Sequence, residues 1–483
     1  MTRKTLARAH LRLALVLTLI APTAAQNAPA AQQPSDAPQQ SATTSPSGTT
    51  AVPDPAAPGT RQAQAQIPSR GPAQRLTLQD AEALALKNNP QISVYRLLSL
   101  ASGQVTREQK SAYYPNIYGS LTAAKPRDDG SRIAAGYLNN PQVYERAAGG
   151  VTLSQLITDF GRTNNLVAAA TLHAKAADMN ALATADQIKL AVDQAFYNAL
   201  QTYALQQVAV ETVRERQVVS DQITTLYQNK LRSQLDVSFA DANLAQAKLL
   251  VLDAQNNYQA ALSTLSEVLG YSIQQSFDLV DTAAPMEPPT DDVSKLIDRA
   301  FSNRPEIASQ DYEFQASQRF QKAERDLLLP TINAMGVVGR TPVTESIAGI
   351  PLFPSWYGSV GVNVNIPIFN GFLYPARSKE AALRSQAEQE RLRDLKDRIA
   401  NDVRTSWLNT QTAYTRISVT QQFVDQTTLA VDLSQTRYNL GLASIVELTQ
   451  AELQQTQALI ENAAAKYQYR IAQAVLRFQI AAP

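Results

Sequence analysis

The apolar residues of this chain recur with two different periods. Ala451, Ala458, Ala465 and Ala472 fall at seven-residue spacing, and so do Ala240, Ala247, Ala254 and Ala261. Beside the earlier stripe, Val237, Leu244, Val251, Tyr258 and Leu265 keep the same spacing. A helix that presents methyl groups every seventh residue lies close to a neighbour, and a strict seven-residue period winds the pair into a left-handed supercoil. The spacing predicts two long helical hairpins packed as coiled coils, over 161–269 and 372–480. Their turns are legible as well. Lys230, Leu231 and Arg232 precede Ser233 in one, and Leu440, Gly441, Leu442 and Ala443 precede Ser444 in the other. Ser444, three residues before Glu447, has the form of a capping box that restarts a helix.

In four stretches the period is two. Ile117, Gly119, Leu121 and Ala123 alternate with Asn116, Tyr118, Ser120 and Thr122, and Val151, Leu153 and Ile157 alternate with Thr152, Ser154 and Thr158. The clearest case sets Val360, Val362, Val364, Ile366 and Ile368 against Gly361, Asn363, Asn365 and Pro367. Strands are predicted at about 116–124, 149–158, 331–340 and 357–368. Each is long enough to cross a bilayer when tilted. Tyr113, Tyr114, Trp356, Tyr357, Phe369, Phe372 and Tyr374 bracket them as interfacial girdles do. Four strands cannot close a barrel, and lipid does not tolerate an open sheet edge. Two copies would supply eight strands, whose interior side chains fill; three would supply twelve and leave a passage, so a homotrimer in outer-membrane lipid is expected.

Both periods occur twice, in the same order. A shift of 211 residues carries Tyr438 onto Tyr227, Ser444 onto Ser233, Glu447 onto Asp236 and each later alanine onto an earlier one. Upstream, a shift of 215 carries Asn303, Pro305 and Ile307 onto Asn88, Pro90 and Ile92, and Pro330 onto Pro115. The chain reads as a tandem duplication, with repeats over 75–280 and 293–480. Between them, Pro285, Pro288 and Pro289 exclude helix from a linker over 281–292.

Composition changes the picture mainly at the start. Arg3, Lys4, Arg8 and Arg12 flank an apolar run over 13–20 that ends in small residues, the pattern of a secretory signal peptide over 1–25. The stretch 26–74 is Ala, Gln, Pro and Ser with few large apolar residues, which predicts a disordered leader. Without the signal peptide, 39 basic side chains face 42 acidic ones, so no cationic surplus calls for nucleic acid. Cysteine is absent, which excludes disulfides, thiol nucleophiles and a lipid-modified cysteine. His173 stands alone in an Ala-rich helix and reads as structural. With no phosphate loop, nucleophile elbow or ligand cluster, neither a cofactor, a metal nor an enzymatic activity is expected.

The signal peptide, the duplicated plan of helix, strand, strand and long hairpin, Pro115 and Pro330 before the strands, and the tip sequence from Leu440 to Leu448 resemble the TolC-like outer-membrane efflux proteins. The resemblance covers about 76–480. It implies a mainly α protein with a membrane β-barrel: a homotrimer with a twelve-stranded barrel continued by a twelve-helix periplasmic coiled-coil tunnel. Such a duct joins an inner-membrane pump through a periplasmic adaptor and serves efflux or type I secretion. Residue by residue, Tyr438 and Asp236 match the family's gate latch, and Glu447 matches a carboxylate of its constriction ring. Three positions depart: Ala443 replaces a latch arginine, Gln450 a second ring carboxylate, and Lys230 the usual glycine of the first tip. Arg232 is the candidate substitute for the missing arginine. The tip residues Lys230, Leu231, Ser233, Leu440, Gly441, Leu442, Ala443 and Ser444 are the expected adaptor contact. The competing expectation is a secreted or periplasmic coiled-coil scaffold or adhesin without a barrel, which leaves the alternation at 360–368 unexplained.

Overall fold

The computed structural model describes residues 74–124, 146–281, 286–288, 292–343, 346–347, 350–351 and 356–482. The expected signal peptide, nearly all of the expected leader, the polar loop after the first strand and parts of the linker lie outside the described residues.

A short strand β1 (Gln74–Leu76) leads to Thr77, whose side chain accepts from the Asp80 amide at 3.2 Å and starts α1 (Leu78–Asn88). Asn89 caps α2 (Pro90–Lys110) in turn, with Pro90 at a first-turn position whose N–H would be unpaired in any helix. The strands β2 (Asn116–Ala124) and β3 (Arg146–Thr158) follow. Then come α3 (Arg162–Gln228), α4 (Gln234–Val268) and β4 (Phe277–Leu279), which pairs in parallel with β1. The second repeat has α5 (Val293–Asn303), α6 (Pro305–Arg325) and β5 (Thr331–Val343). Two-residue strands β6 (Ser346–Ile347) and β7 (Ile350–Pro351) precede β8 (Trp356–Asn365), α7 (Leu373–Asn439) and α8 (Ile445–Gln479). The helices of the first repeat have 11, 21, 67 and 35 residues, and so do those of the second. A 67-residue helix is about 100 Å long at 1.5 Å per residue.

The four long strands form one antiparallel sheet in the order β2-β3-β5-β8. Its register sorts side chains onto two faces. Ile117, Leu153, Gly336 and Val360 form one cross-strand row, and Ala334 with Val362 and Ile332 with Val364 continue that apolar face. Asn333 with Asn363, and Tyr118, Thr152, Val337 and Ser359, lie on the other. One expectation is corrected here. Strand β8 stops at Asn365 rather than at 368, because Pro367 has no N–H for the ladder and restricts the backbone of Ile366. Tyr357 lies on the face opposite Trp356; it pairs with Gly339 and lies across Gly339 and Gly150, whose missing side chains make room for its ring.

The alanine stripes are where the long helices meet. Ala240, Ala247, Ala254, Ala261, Ala451, Ala458 and Ala465 are all buried, and Ala472 is half-buried. In each repeat the two arms of the hairpin pack along their length, α3 on α4 and α7 on α8, while α3 also packs on α8 and joins the hairpins to each other. Helix α6 is held between α3 and α7. Helix α2 packs on α3 and leaves Val94, Leu97 and Leu98 exposed. Among the described residues, no helix is long and apolar enough to cross a membrane.

Candidate functional site

The two hairpin turns lie together at one end of the helical body. Each needs one residue in the left-handed region: Gly441 at φ 74° in the second, and Lys230 at φ 67° in the first, where a side chain costs about 1 kcal/mol relative to glycine. The helix that follows is then restarted by a serine. Ser233 accepts from the Asp236 amide at 3.2 Å, and Oδ2 of Asp236 accepts from the Ser233 amide at 3.0 Å and from its hydroxyl at 2.9 Å, a complete capping box. Ser444 forms only half of one, accepting from the Glu447 amide at 3.4 Å. The Glu447 carboxylate turns instead to Arg437, 3.5 Å away, an ion pair between the end of α7 and the start of α8.

Tyr438 is 3% exposed, packed among Ile223, Val237, Ala240, Ile445 and Leu448 from both hairpins. Its phenol makes no hydrogen bond to Asp236, its partner in the gate latch that the resemblance implies. Its hydroxyl has no hydrogen-bond partner among the described residues. Asp236 is the third residue of α4, and its Oδ2 serves the two donors of Ser233. Arg232 makes the contact between the tips instead. Its Nη2 donates to the Tyr438 carbonyl oxygen at 2.6 Å, and its guanidinium carbon lies 4.3 Å from the centre of the Tyr438 ring. Burial pushes the Tyr438 phenol up, the Asp236 charge adds to this, and Arg232 opposes it. Leu231, Leu440, Leu442 and Gln450 are exposed, and Ala443 is half-exposed.

Further along the helices lies a group that pattern reading passes over. Arg216 of α3 sits in the buried series Ala209, Thr212, Arg216, Ser220 and Ile223. Its Nη1 is 2.8 Å from Oε2 of Glu452 on α8, and its Nη2 donates to the Glu452 carbonyl at 2.8 Å and to the Thr456 hydroxyl at 3.2 Å. Burial pushes the Glu452 carboxyl up, and the Arg216 charge offsets this only in part. The available signal was a cation at a seam position of a three-and-four spacing. His173, for its part, meets Glu313 of α6 at 2.8 Å, which raises its pKa by a hydrogen bond to the imidazolium.

The chain is similar to known proteins over most of its length. The sequence model of a family described as outer membrane efflux protein matches residues 83–271 and again 296–482, once in each repeat. The outer membrane efflux protein BepC of Brucella suis is 26% identical over 368 residues, 74% of each chain. The alkaline protease secretion protein AprF of Pseudomonas aeruginosa is 24% identical over 83% of this chain and 84% of its own. Among solved structures, the Campylobacter jejuni CmeC outer membrane channel superposes with a TM-score of 0.72 at 17% identity, covering 84% of this chain and 85% of its own. CusC matches with the same TM-score at 18% identity, over 83% of this chain and 91% of its own.

Proposed function

Because the chain belongs to the outer membrane efflux protein family, it is an outer-membrane channel of the efflux and secretion class, and we propose that three copies close into a single exit duct. The sheet is the observation that carries this reading. Among the described residues, strands β2 and β8 each pair on one side alone in the single chain, and the sheet has one apolar and one polar face. An apolar face suits lipid and a polar face an aqueous lumen, while the two edges can be satisfied only by other strands. Pairing β8 of one copy with β2 of the next closes a ring without a free edge.

The duplication supports the same ring. Within the chain, α6 is covered by α3 on one side and α7 on the other. Its counterpart α2 packs along α3 among the described residues, and its exposed Val94, Leu97 and Leu98 suit α7 of the next copy. Inside the membrane the duct is a barrel, and in the periplasm it is a tunnel of long helices that ends at the hairpin tips. There Glu447 lines the narrowest ring, while Arg232 and Tyr438 hold the two hairpins of one chain together. The exposed tip residues meet a periplasmic adaptor that couples the duct to an inner-membrane pump. The chain itself conducts passively and catalyses nothing. Two relatives carry different cargo in their names, alkaline protease secretion for AprF and fusaric acid resistance for FusA of Burkholderia cepacia. A conduit that passes what its pump delivers needs no pocket for either.

The test is electrical. Purified in detergent and added to a planar bilayer, the protein should insert as a discrete, cation-selective conductance. A preparation that migrates as a folded oligomer yet never conducts would contradict the duct.

A further inference from the structure

Among the described residues, the apolar face of the sheet carries one charged side chain, that of Arg340. Leu121, Gly149, Arg340 and Trp356 form a cross-strand row on that face, four residues along each strand from the row of Ile117, Leu153, Gly336 and Val360. Leu121 is 93% exposed and Trp356 63%, and Arg340 is exposed as well. The helices leave the sheet at its other end, where Thr331 pairs with Asn365. Arg340 is nine residues further on. That is about 30 Å along the strand, or about 21 Å of height when the strand is tilted by about 45°. In an apolar band about 25 Å tall, it reaches the rim that faces away from the periplasm.

A charge on a lipid-facing surface is tolerated near the headgroups, where it finds water and a counter-ion. The guanidinium carbon of Arg340 lies 5.5 Å from the centre of the Trp356 ring, and among the described residues no carboxylate pairs with it. The duplication shows what has taken the place of one. The two strand pairs share a register, for Ala124 pairs with Arg146 as Gly339 pairs with Tyr357. The shifts that relate these pairs, 215 residues on one strand and 211 on the other, carry Arg340 onto Lys125 and Trp356 onto Glu145, both outside the described residues. At these two positions the first repeat has a cation and an anion, and the second has a cation and an indole. The second repeat keeps the charge and gives up the carboxylate. An arginine over an aromatic face keeps the N–H donors at its edge free, and that planar fork fits a phosphate.

We propose that Arg340 and Trp356 of each copy bind a phosphate of the glycolipid of the outer leaflet, with the indole at headgroup level and the guanidinium on the phosphate. The proposal rests on the barrel and its lipid-facing side as read above, and adds one lipid contact at a named place on it. Charge complementarity selects the occupant. The cation lacks an anion from its own chain, and the leaflet at that height presents phosphates. On the same face, exposed Val338 lies two residues nearer the middle of the sheet, where acyl chains would pack.

Lipid binding by the detergent-purified protein tests this, read by native mass spectrometry as lipid retained on the folded oligomer. The probes are diphosphorylated lipid A and the same lipid with its phosphates removed. The wild type should retain the diphosphorylated form severalfold more strongly, and inorganic phosphate at millimolar concentration should not displace it. Arg340→Gln should lose that preference, and Arg340→Lys should keep part of it. Trp356→Ala should weaken retention severalfold, while Trp356→Phe, which keeps an aromatic face, should retain most of it. Each variant is compared as an oligomer of wild-type mass, so that misfolding is not read as lost binding. Equal retention of the two lipids by the wild type would overturn the proposal and leave the duct standing. An undiminished preference in Arg340→Gln would overturn it as well, and so would displacement by inorganic phosphate, since the site would then take any free anion. A monomeric wild-type protein would remove the duct and the lipid site together.

Discussion

Arg216 and Glu452 form an ion pair at 2.8 Å whose side chains are 8% and 3% exposed, and it joins the first hairpin to the second. Taking two charges out of water is costly, and this pair is held by two further hydrogen bonds from the same guanidinium. Removing one partner leaves the other buried and uncompensated. Arg216→Met should therefore destabilise the folded protein by roughly 3–5 kcal/mol, read as a lower melting temperature in detergent. Arg216→Met with Glu452→Leu should recover most of that loss. An undiminished loss in the double variant would mean that the pair contributes more than it costs to bury.

A second carboxyl gives the protein a pH dependence. Asp193 of α3 faces Glu82 of α1; burial and the Glu82 charge push it up to about 7, against the pull of Arg477 and Lys189. A carboxyl with a raised folded pKa holds its proton more tightly in the folded state than in the unfolded one. Its contribution to stability thus falls as pH rises from about 4 to about 7, and the penalty stays in full above that. Asp193→Asn keeps the neutral form at every pH. It should raise the melting temperature at pH 8 and leave it nearly unchanged at pH 4. Equal effects at both would show that the proton is not held there.

The two faces of the sheet make opposite demands on charge. Val362 shares the apolar face with Ala334, and the adjacent Asn363 pairs with Asn333 on the polar one. Val362→Arg should cost about 2–4 kcal/mol if it meets lipid near the middle of the bilayer, and should reduce insertion into the outer membrane. Asn363→Arg should insert normally. Matching insertion defects in the two variants would reverse or abolish the assignment of faces.

At the tip, Glu447 and Arg437 are charges of opposite sign 3.5 Å apart, and on the proposed placement of Glu447 in the narrowest ring they would act on permeating ions in opposite directions. Glu447→Gln should weaken cation selectivity in planar bilayers by removing the negative charge of each copy. Arg437→Ala should strengthen it by unmasking that charge. A shift in the same direction for both would place the pair outside the conduction path.

Much of this architecture is legible in the chain because it is repetitive. Alanines at every seventh position, serines three residues before carboxylates, and valines at every second position leave periodic marks, and their recurrence after 211 residues shows where the copies align. The parallel pairing of β1 with β4 is not legible, since three residues on each side are too few to establish a period. The aromatic girdle is legible only in part. The alternation already sets Trp356 and Tyr357 on opposite faces, but it takes the register to show that Tyr357 lies over Gly339 and Gly150. The tip is where residue-by-residue transfer misleads. Tyr438 and Asp236 are both present, yet the carboxylate turns its Oδ2 to Ser233, and an arginine from the other turn meets the tyrosine. Sequence spacing shows which residues share a helical face; it does not show which of two neighbours wins a hydrogen bond.

The central claim is that three copies build one duct, and the mass of the purified particle tests it most directly. Light scattering of the detergent-solubilised protein, with the detergent's contribution subtracted, should give the protein mass of three chains in a single species. A monodisperse monomer, stable with the outer edges of β2 and β8 unpaired, would contradict the account.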